Sequence, residues 1–340
     1  MSEVTIEKAT GFEDAQRLYG RAIPSGKTSK FDWLYAQNPA GKADVYHARD
    51  TSSNEVVGVY AIYPMKFSWY GSVIDVGQAF DAVVLPEYRG QGIFNRFLEF
   101  SSKDIQDKYK FMIGFPNHLS RGVLYRAGWL NIGDLETYSL PLTGAAFGKK
   151  AGSGPLGKLL SSLLSLPTGA YRSFHLNRID SRQVAAQPMN NCPEDIARIT
   201  KSIQNRNPVS AARTPAFVNW RMLTAPVQNY VSFKLEKDGD LIGYAVIRRS
   251  DNSGELVDFV VTPKLAAPAL KVLVLECVSK GLETLHFQVS THSYVTSAIQ
   301  KLGARKRKEV APVIFYPLLF SADQVKYEDW FLTHADTDWV

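Results

Sequence analysis
Residues 55–63 form an apolar run rich in Val, Ile and Tyr behind the turn residues TSSN, and residues 240–248 read the same way behind KDGD. Runs of β-branched and aromatic residues bounded by turn formers predict strands. Further strands are predicted over 77–86 and 255–263, ended by Pro86 and Pro263, because proline removes a ladder donor. Beyond Pro86, the residues Ile93, Phe94, Phe97, Leu98 and Ile105 fall on one helical face. KFMIGF (110–115) and TLHFQV (284–289) read as short buried strands, each leading into a helix that closes at Gly128 or Gly303. Glycine at that place is the usual left-handed helix cap.

These signals come twice in the same order. FDWLYAQNP (31–39) is echoed by VNWRMLTAP (218–226), which sets Trp33 opposite Trp220 and Pro39 opposite Pro226. Gly58 aligns with Gly243, Asp81 with Asp258 and Gly128 with Gly303; the five offsets are 187, 187, 185, 177 and 175. A drift in one direction is what loop deletions produce, so the pattern predicts a duplicated unit. The units are expected at 1–140 and 191–320, with a basic Gly/Ser/Pro-rich linker at 141–190 and a C-terminal tail at 321–340. Within the linker, GKLLSSLLSL predicts a short amphipathic helix.

Composition narrows the function. With 45% hydrophobic and 12% aromatic residues the 340-residue chain can bury substantial cores. No run reaches the roughly 18 apolar residues of a membrane span, and the polar, acidic N-terminus argues against a signal peptide. Cys192 and Cys277 are the only cysteines, too few for a disulfide framework or a zinc site, so no metal and a reducing cytoplasm are expected. The net charge is +6, and much of the excess lies in Lys149, Lys150, Lys158, Arg172, Arg178 and Arg182 against Asp180 alone. That concentration suits an anionic small molecule, a phospholipid surface or a solvated linker better than nucleic acid. It leaves peripheral membrane contact open. The chain does not fix an oligomeric state.

The chemistry is expected at DAVVLPEYRGQGIFNRF (81–97). A strand ends and a helix starts within a few residues, so successive amides and the helix's unsatisfied first turn face one concavity. Gly90 and Gly92 carry no Cβ to block a phosphate, and Arg89 can pair with its oxygens. A tight turn with permissive glycines explains these residues equally well. A dinucleotide fingerprint fails at Asn95, and a Walker-like GSGPLGKL fails at Leu159, where Ser or Thr would hold magnesium.

VLPEYRGQGIF (84–94) resembles the acyl-CoA signature of the GNAT superfamily of N-acyltransferases. The resemblance implies an α/β (α+β) fold of two tandem GNAT-like domains, each a mixed, mostly antiparallel sheet splayed at its centre and flanked by helices. It puts Arg89, Gly90, Gln91, Gly92 and Ile93 around the pyrophosphate of acyl-CoA, and the backbone of Val83, Val84 and Leu85 beside the thioester. Phe94 stands where the family has Gly or Ala. FPNHLSRGVLYRAGW (115–129) resembles the second signature, an Asn after a strand and then L-Y-x-x-x-G-F; there Asn117 would touch the CoA arm and Tyr125 would protonate the leaving sulfur. Many relatives carry a glutamate base where this chain has Gln78, which leaves Asp81, His118 or a water. After Pro263 the second copy has KLAAPALKVL and no cradle, so one CoA per chain is expected.

Chains with FDWLYAQNPAG near the start together with RGQGIF look like bacterial acyltransferases of surface-polysaccharide synthesis, some of which acylate the amine of a nucleotide-linked deoxyamino sugar. That implies acetyl-CoA or 3-hydroxyacyl-CoA as co-substrate. It also implies acceptor contacts from Trp33, Tyr35 and Gln78, with Arg172 and Arg178 on the diphosphate. The echo at Trp220 favours Trp33 as a core anchor instead. Rival readings are a GNAT acting on an aminoglycoside, polyamine or protein lysine, a FemABX-like aminoacyl transferase, and a CoA-binding module without activity.

Overall fold
The computed structural model describes residues 3–23, 30–148, 154–226 and 229–337. Fourteen strands join in one mixed sheet. The first half supplies β1 (Val4–Lys8), β2 (Asp44–Asp50), β3 (Val56–Trp69), β4 (Ser72–Val84), β5 (Phe111–Gly114) and β6 (Leu130–Pro141). The second supplies β7 (Val184–Pro188), β8 (Val209–Ala211), β9 (Tyr230–Lys237), β10 (Asp240–Ser250), β11 (Ser253–Val261), β12 (Thr284–Ser290), β13 (Arg305–Pro317) and β14 (Trp330–Phe331). Helices lie between them: α1 (Glu13–Ala22), α2 (Ile93–Ile105), α3 (Arg121–Arg126), α4 (Ala145–Gly148), α5 (Pro155–Leu176), α6 (Ile196–Gln204), α7 (Pro215–Val218), α8 (Ala266–Ser279) and α9 (Thr296–Lys301). Nearly every residue of β3 is buried, as befits an inner strand covered on both faces.

The strand order is β1-β2-β3-β4-β5-β13-β6-β12-β11-β10-β9-β7. β5 pairs with β13 (Gly114 opposite Ile314), and β6 pairs with β12 (Leu135 opposite Ser290). Each half is thus completed by the other's last strand, and β13 and β6 seal the exchange by pairing with each other. The expected ends at 140 and 320 fall at the close of β6 and just past β13. Each half also contains one parallel pair that opens partway. β4 and β5 pair only at Gly77/Met112 and Gln78/Ile113, and β11 and β12 only from Ser253/Thr284 to Leu256/Phe287.

The halves meet across two π-helical turns, Asp32–Ala36 and Asn219–Leu223. Trp33 Nε1 donates to the Trp220 carbonyl at 2.7 Å, Trp220 Nε1 donates to the Trp33 carbonyl at 2.9 Å, and the rings lie 5.4 Å apart. Trp33 is therefore a core anchor at the join, as its echo suggested, and it does not line the cleft described below.

Two segments are more ordered than expected. The linker holds the 22-residue α5 in place of a short helix, and β7 adds an edge to β9. Lys149, Lys150 and Gly152 lie outside the described residues. The tail folds back: Trp330, Phe331 and Leu332 are buried, and the Arg221 guanidinium donates to the carbonyls of Ala335 and Thr337.

Candidate active site
β4 carries the site because of how it leaves β5. Past Gln78 its edge has no strand partner, which leaves a V-shaped opening walled by Ala79, Phe80, Asp81, Ala82 and Val83 from β4, Gly114 to Asn117 after β5, and Ile314 from β13. Asp81 and Ala82 together face the single Tyr60 of β3, since Phe80 pairs with Ala61 and Val83 with Val59. This is a β-bulge, and Asp81 has the positive φ of +42° that such an irregularity forces. The cleft measures about 230 Å³ and also takes in Tyr19, Tyr60, Phe94, Ser120 and Leu124.

At the mouth, β4 ends in a single 3-10 turn over Pro86–Tyr88 and α2 begins after Gly92. Gly90 and Gly92 have φ of +78° and +72°, and a Cβ built on either meets nothing within 4 Å. The dihedrals call for glycine, and the space beside both is open to a bulky anion. No side chain caps α2 and no acid lies in its first turn, so its positive end stays available. Arg89 is exposed, with Nε donating to the Val84 carbonyl at 3.0 Å. These features fit a pyrophosphate. Across the opening, Asn117 Oδ1 closes a turn by accepting from the amides of Leu119 and Ser120 at 2.9 and 3.0 Å.

Asp81 lines the cavity, but both its oxygens are taken. Lys30 Nζ donates to Oδ1 at 2.8 Å and the Tyr35 hydroxyl to Oδ2 at 3.1 Å. Burial alone would depress the Lys30 ammonium; the adjacent Asp81 carboxylate outweighs it and holds its pKa above the ordinary value. A carboxylate with both oxygens engaged in this way is a positioning group. Its counterpart Asp258 is likewise paired with a cation, Arg213, at 3.1 Å, and accepts from the Tyr244 hydroxyl at 2.6 Å. Lys30 lacked any sequence signal beyond its nearness to the FDWLY stretch.

Several expected site residues stand elsewhere. Tyr125 is 37% exposed and lies outside the cavity wall, which Leu124 lines instead. The second signature has three residues between Tyr and Gly, whereas Arg126 and Ala127 are the only two here, and one position is about 100° on a helix. His118 is exposed and also off the wall. Tyr35 is buried and off the cavity wall, meeting it through Asp81 and through the Phe80 ring at 5.1 Å. Gln78 is fully buried at the last β4–β5 pair, with both carboxamide atoms lacking a hydrogen-bond partner. Arg172 donates to the Leu142 carbonyl and the Arg178 guanidinium stacks 3.7 Å over the Phe174 ring, so neither is turned to this cleft. Sequence reasoning missed Tyr60, whose buried hydroxyl has no partner among the described residues and whose ring meets Phe94 edge-on at 6.0 Å. Burial foremost, with Tyr316 adding to it, pushes this phenol well above its ordinary pKa, so it keeps its proton.

The equivalent opening in the second half is closed. The Tyr294 hydroxyl accepts from the Val261 amide at 3.1 Å and donates to the Phe259 carbonyl at 3.2 Å. Beside it, Ser290 N donates to the Leu332 carbonyl at 2.9 Å. A tyrosine and the returning C-terminal segment occupy the free edge that β4 leaves bare.

Residues 7–131 match the family described as the acetyltransferase (GNAT) domain. No curated protein matches the sequence. Among solved structures, a probable N-acyltransferase of unknown function from Enterococcus faecalis V583 superposes with a TM-score of 0.66 at 12% identity, over 94% of this chain and 73% of that one. A GCN5-related N-acetyltransferase from Kribbella flavida gives 0.61 at 17% identity, over 94% and 72%. The N-myristoyltransferase of Saccharomyces cerevisiae with bound myristoyl-CoA gives 0.59 at 11% identity, over 93% and 83%. The fold is that of these acyltransferases.

Proposed function
We propose that the chain is a tandem-GNAT acyl-CoA-dependent N-acyltransferase that works by direct attack of an amine within the β4–β5 opening. One observation carries this reading: a bare strand edge runs straight into a glycine turn with two left-handed glycines and an uncapped helix. Arg89 and the amides from Gly90 to Ile93 take the pyrophosphate, and Val83 to Leu85 with Asn117 line the arm leading to the thioester. The amine nitrogen forms the new C–N bond as the C–S bond breaks. The proton lost by the nitrogen ends on the departing sulfur, and the neutral Tyr60 hydroxyl in the cleft is suited to relay it, giving its own proton to the sulfur as it takes up the one from the amine. Asp81, locked by Lys30 and Tyr35, positions this wall.

For the acceptor we infer the amine of a nucleotide-linked deoxyamino sugar used in surface-polysaccharide synthesis. The FDWLYAQNPAG and RGQGIF stretches support that choice. The test is thiol release from acetyl-CoA and 3-hydroxybutyryl-CoA with nucleotide amino sugars, aminoglycosides, polyamines and lysine peptides as acceptors. Turnover confined to the nucleotide sugars is the expected result. Turnover with another amine class replaces the acceptor, and absence of any CoA binding removes the enzymatic reading.

A further inference from the structure
Helix α5 turns an apolar face to solvent. Leu159, Leu163, Leu166, Ala170 and Phe174 follow one another at spacings of four, three, four and four, which places them along one face. That face points to solvent: the four large side chains are 56, 64, 85 and 54% exposed and Ala170 is exposed too. The side toward the protein combines buried Leu176 with polar contacts. The Tyr171 hydroxyl donates to the Gly303 carbonyl at 2.9 Å, His175 Nδ1 lies 3.2 Å from the Lys301 carbonyl, and Thr168 is buried. A solvent-facing leucine stripe needs a partner.

The surrounding charge is mainly positive. From Thr137 to Ile179 the sequence contains no Asp or Glu. Along the flank of α5, a cavity of about 520 Å³ is lined by Arg305, Arg307 and His286 together with Leu164, Pro167 and Tyr171, and among the described residues no acid lines it. Its basic wall follows from register, since Ser139 pairs with both Arg305 and His286 and sets all three in one row across three strands. Arg305 stacks over the Tyr171 ring at 5.6 Å, and Lys308 beside Arg307 is exposed. Arg307 lies 3.7 Å from Glu309 in an exposed pair, which binds it weakly.

We propose that this face docks on an anionic bilayer surface, with the leucine stripe of α5 lying in the interface and Arg305, Arg307 and Arg178 at the headgroups. An apolar helical stripe edged by cations and lacking acids is the pattern of helices that lie on membranes. Among the described residues no helix is long and apolar enough to cross one. The inference does not depend on the acyl-transfer reading.

The test is flotation of the full chain with vesicles of equal parts phosphatidylglycerol and phosphatidylcholine, and with phosphatidylcholine alone. Binding to the first, little to the second, and loss at high salt are expected. Leu163→Glu/Leu166→Glu should abolish binding with unchanged thermal melting, because both side chains face solvent. Arg305→Glu/Arg307→Glu should weaken it about tenfold or more. A wild-type chain that stays soluble with phosphatidylglycerol vesicles overturns the proposal. So does a dimer by light scattering that Leu163→Glu/Leu166→Glu dissociates, since the stripe then serves a second copy.

Discussion

At the scale of single residues, spacing decides which side chain meets the cleft. Tyr125 matched a signature by type, yet the missing residue before Gly128 turns Leu124 to the cavity and leaves Tyr125 outside. Tyr60 carries no motif and could not be singled out in sequence, because its role depends on standing opposite a bulge two strands away from β5. Tyr60→Phe should lower kcat about a hundredfold with little change in acyl-CoA KM, while Tyr125→Phe leaves both near wild type; steady-state kinetics of the pair decides. The glycine turn was fully legible, since left-handed glycines and an arginine announce themselves. Gly92→Ala should cost about 1 kcal/mol in chemical denaturation through its positive φ. Arg89→Ala should raise acyl-CoA KM about tenfold with stability unchanged.

At the scale of elements, the repeat landmarks sort into scaffold and site. Trp33 and Trp220 recur because each caps the other's backbone, and Asp81 and Asp258 recur because each holds a cation. Trp33→Ala and Trp220→Ala should each destabilise by roughly 3–5 kcal/mol. Their double mutant should fall short of the sum, because the two rings share one interface; denaturant titration of the four proteins measures the difference. Strands and helices were readable from periodicity, but their partners were not. A strand followed by its own last strand and a strand followed by the other half's last strand present the same alternation, so the exchange of β6 and β13 left no mark on the pattern. The second opening is a similar case: the loss of the cradle was visible at KLAAPALKVL, whereas the plug formed by Tyr294 and the returning C-terminus required the fold.

At the scale of the whole molecule, buried His47 and half-buried His286 set a lower pH limit on stability. Burial foremost holds His47 below its ordinary value of 6.5, with Asp14 opposing and Arg49 adding to the effect. Burial does the same to His286. Unfolded, both take up protons near pH 6.5 while the native chain keeps them neutral. Their contribution is therefore fully present above about pH 6.5 and is lost as pH falls through that value toward the lower folded pKa. Thermal melting followed downward from neutral pH should show this decline, and His47→Gln should make it shallower.

The crossed ends of the two halves bear on how the chain responds to dilution. Two separate subunits that lent each other a strand would come apart at low concentration, because their stability would depend on how often they meet. Here the lender and the borrower are one polypeptide, so the meeting is intramolecular at any concentration. Melting should thus be indifferent to dilution. Covalent joining also lifts the demand that both halves be alike: one can close its opening with Tyr294 and serve as a wall while the other stays open.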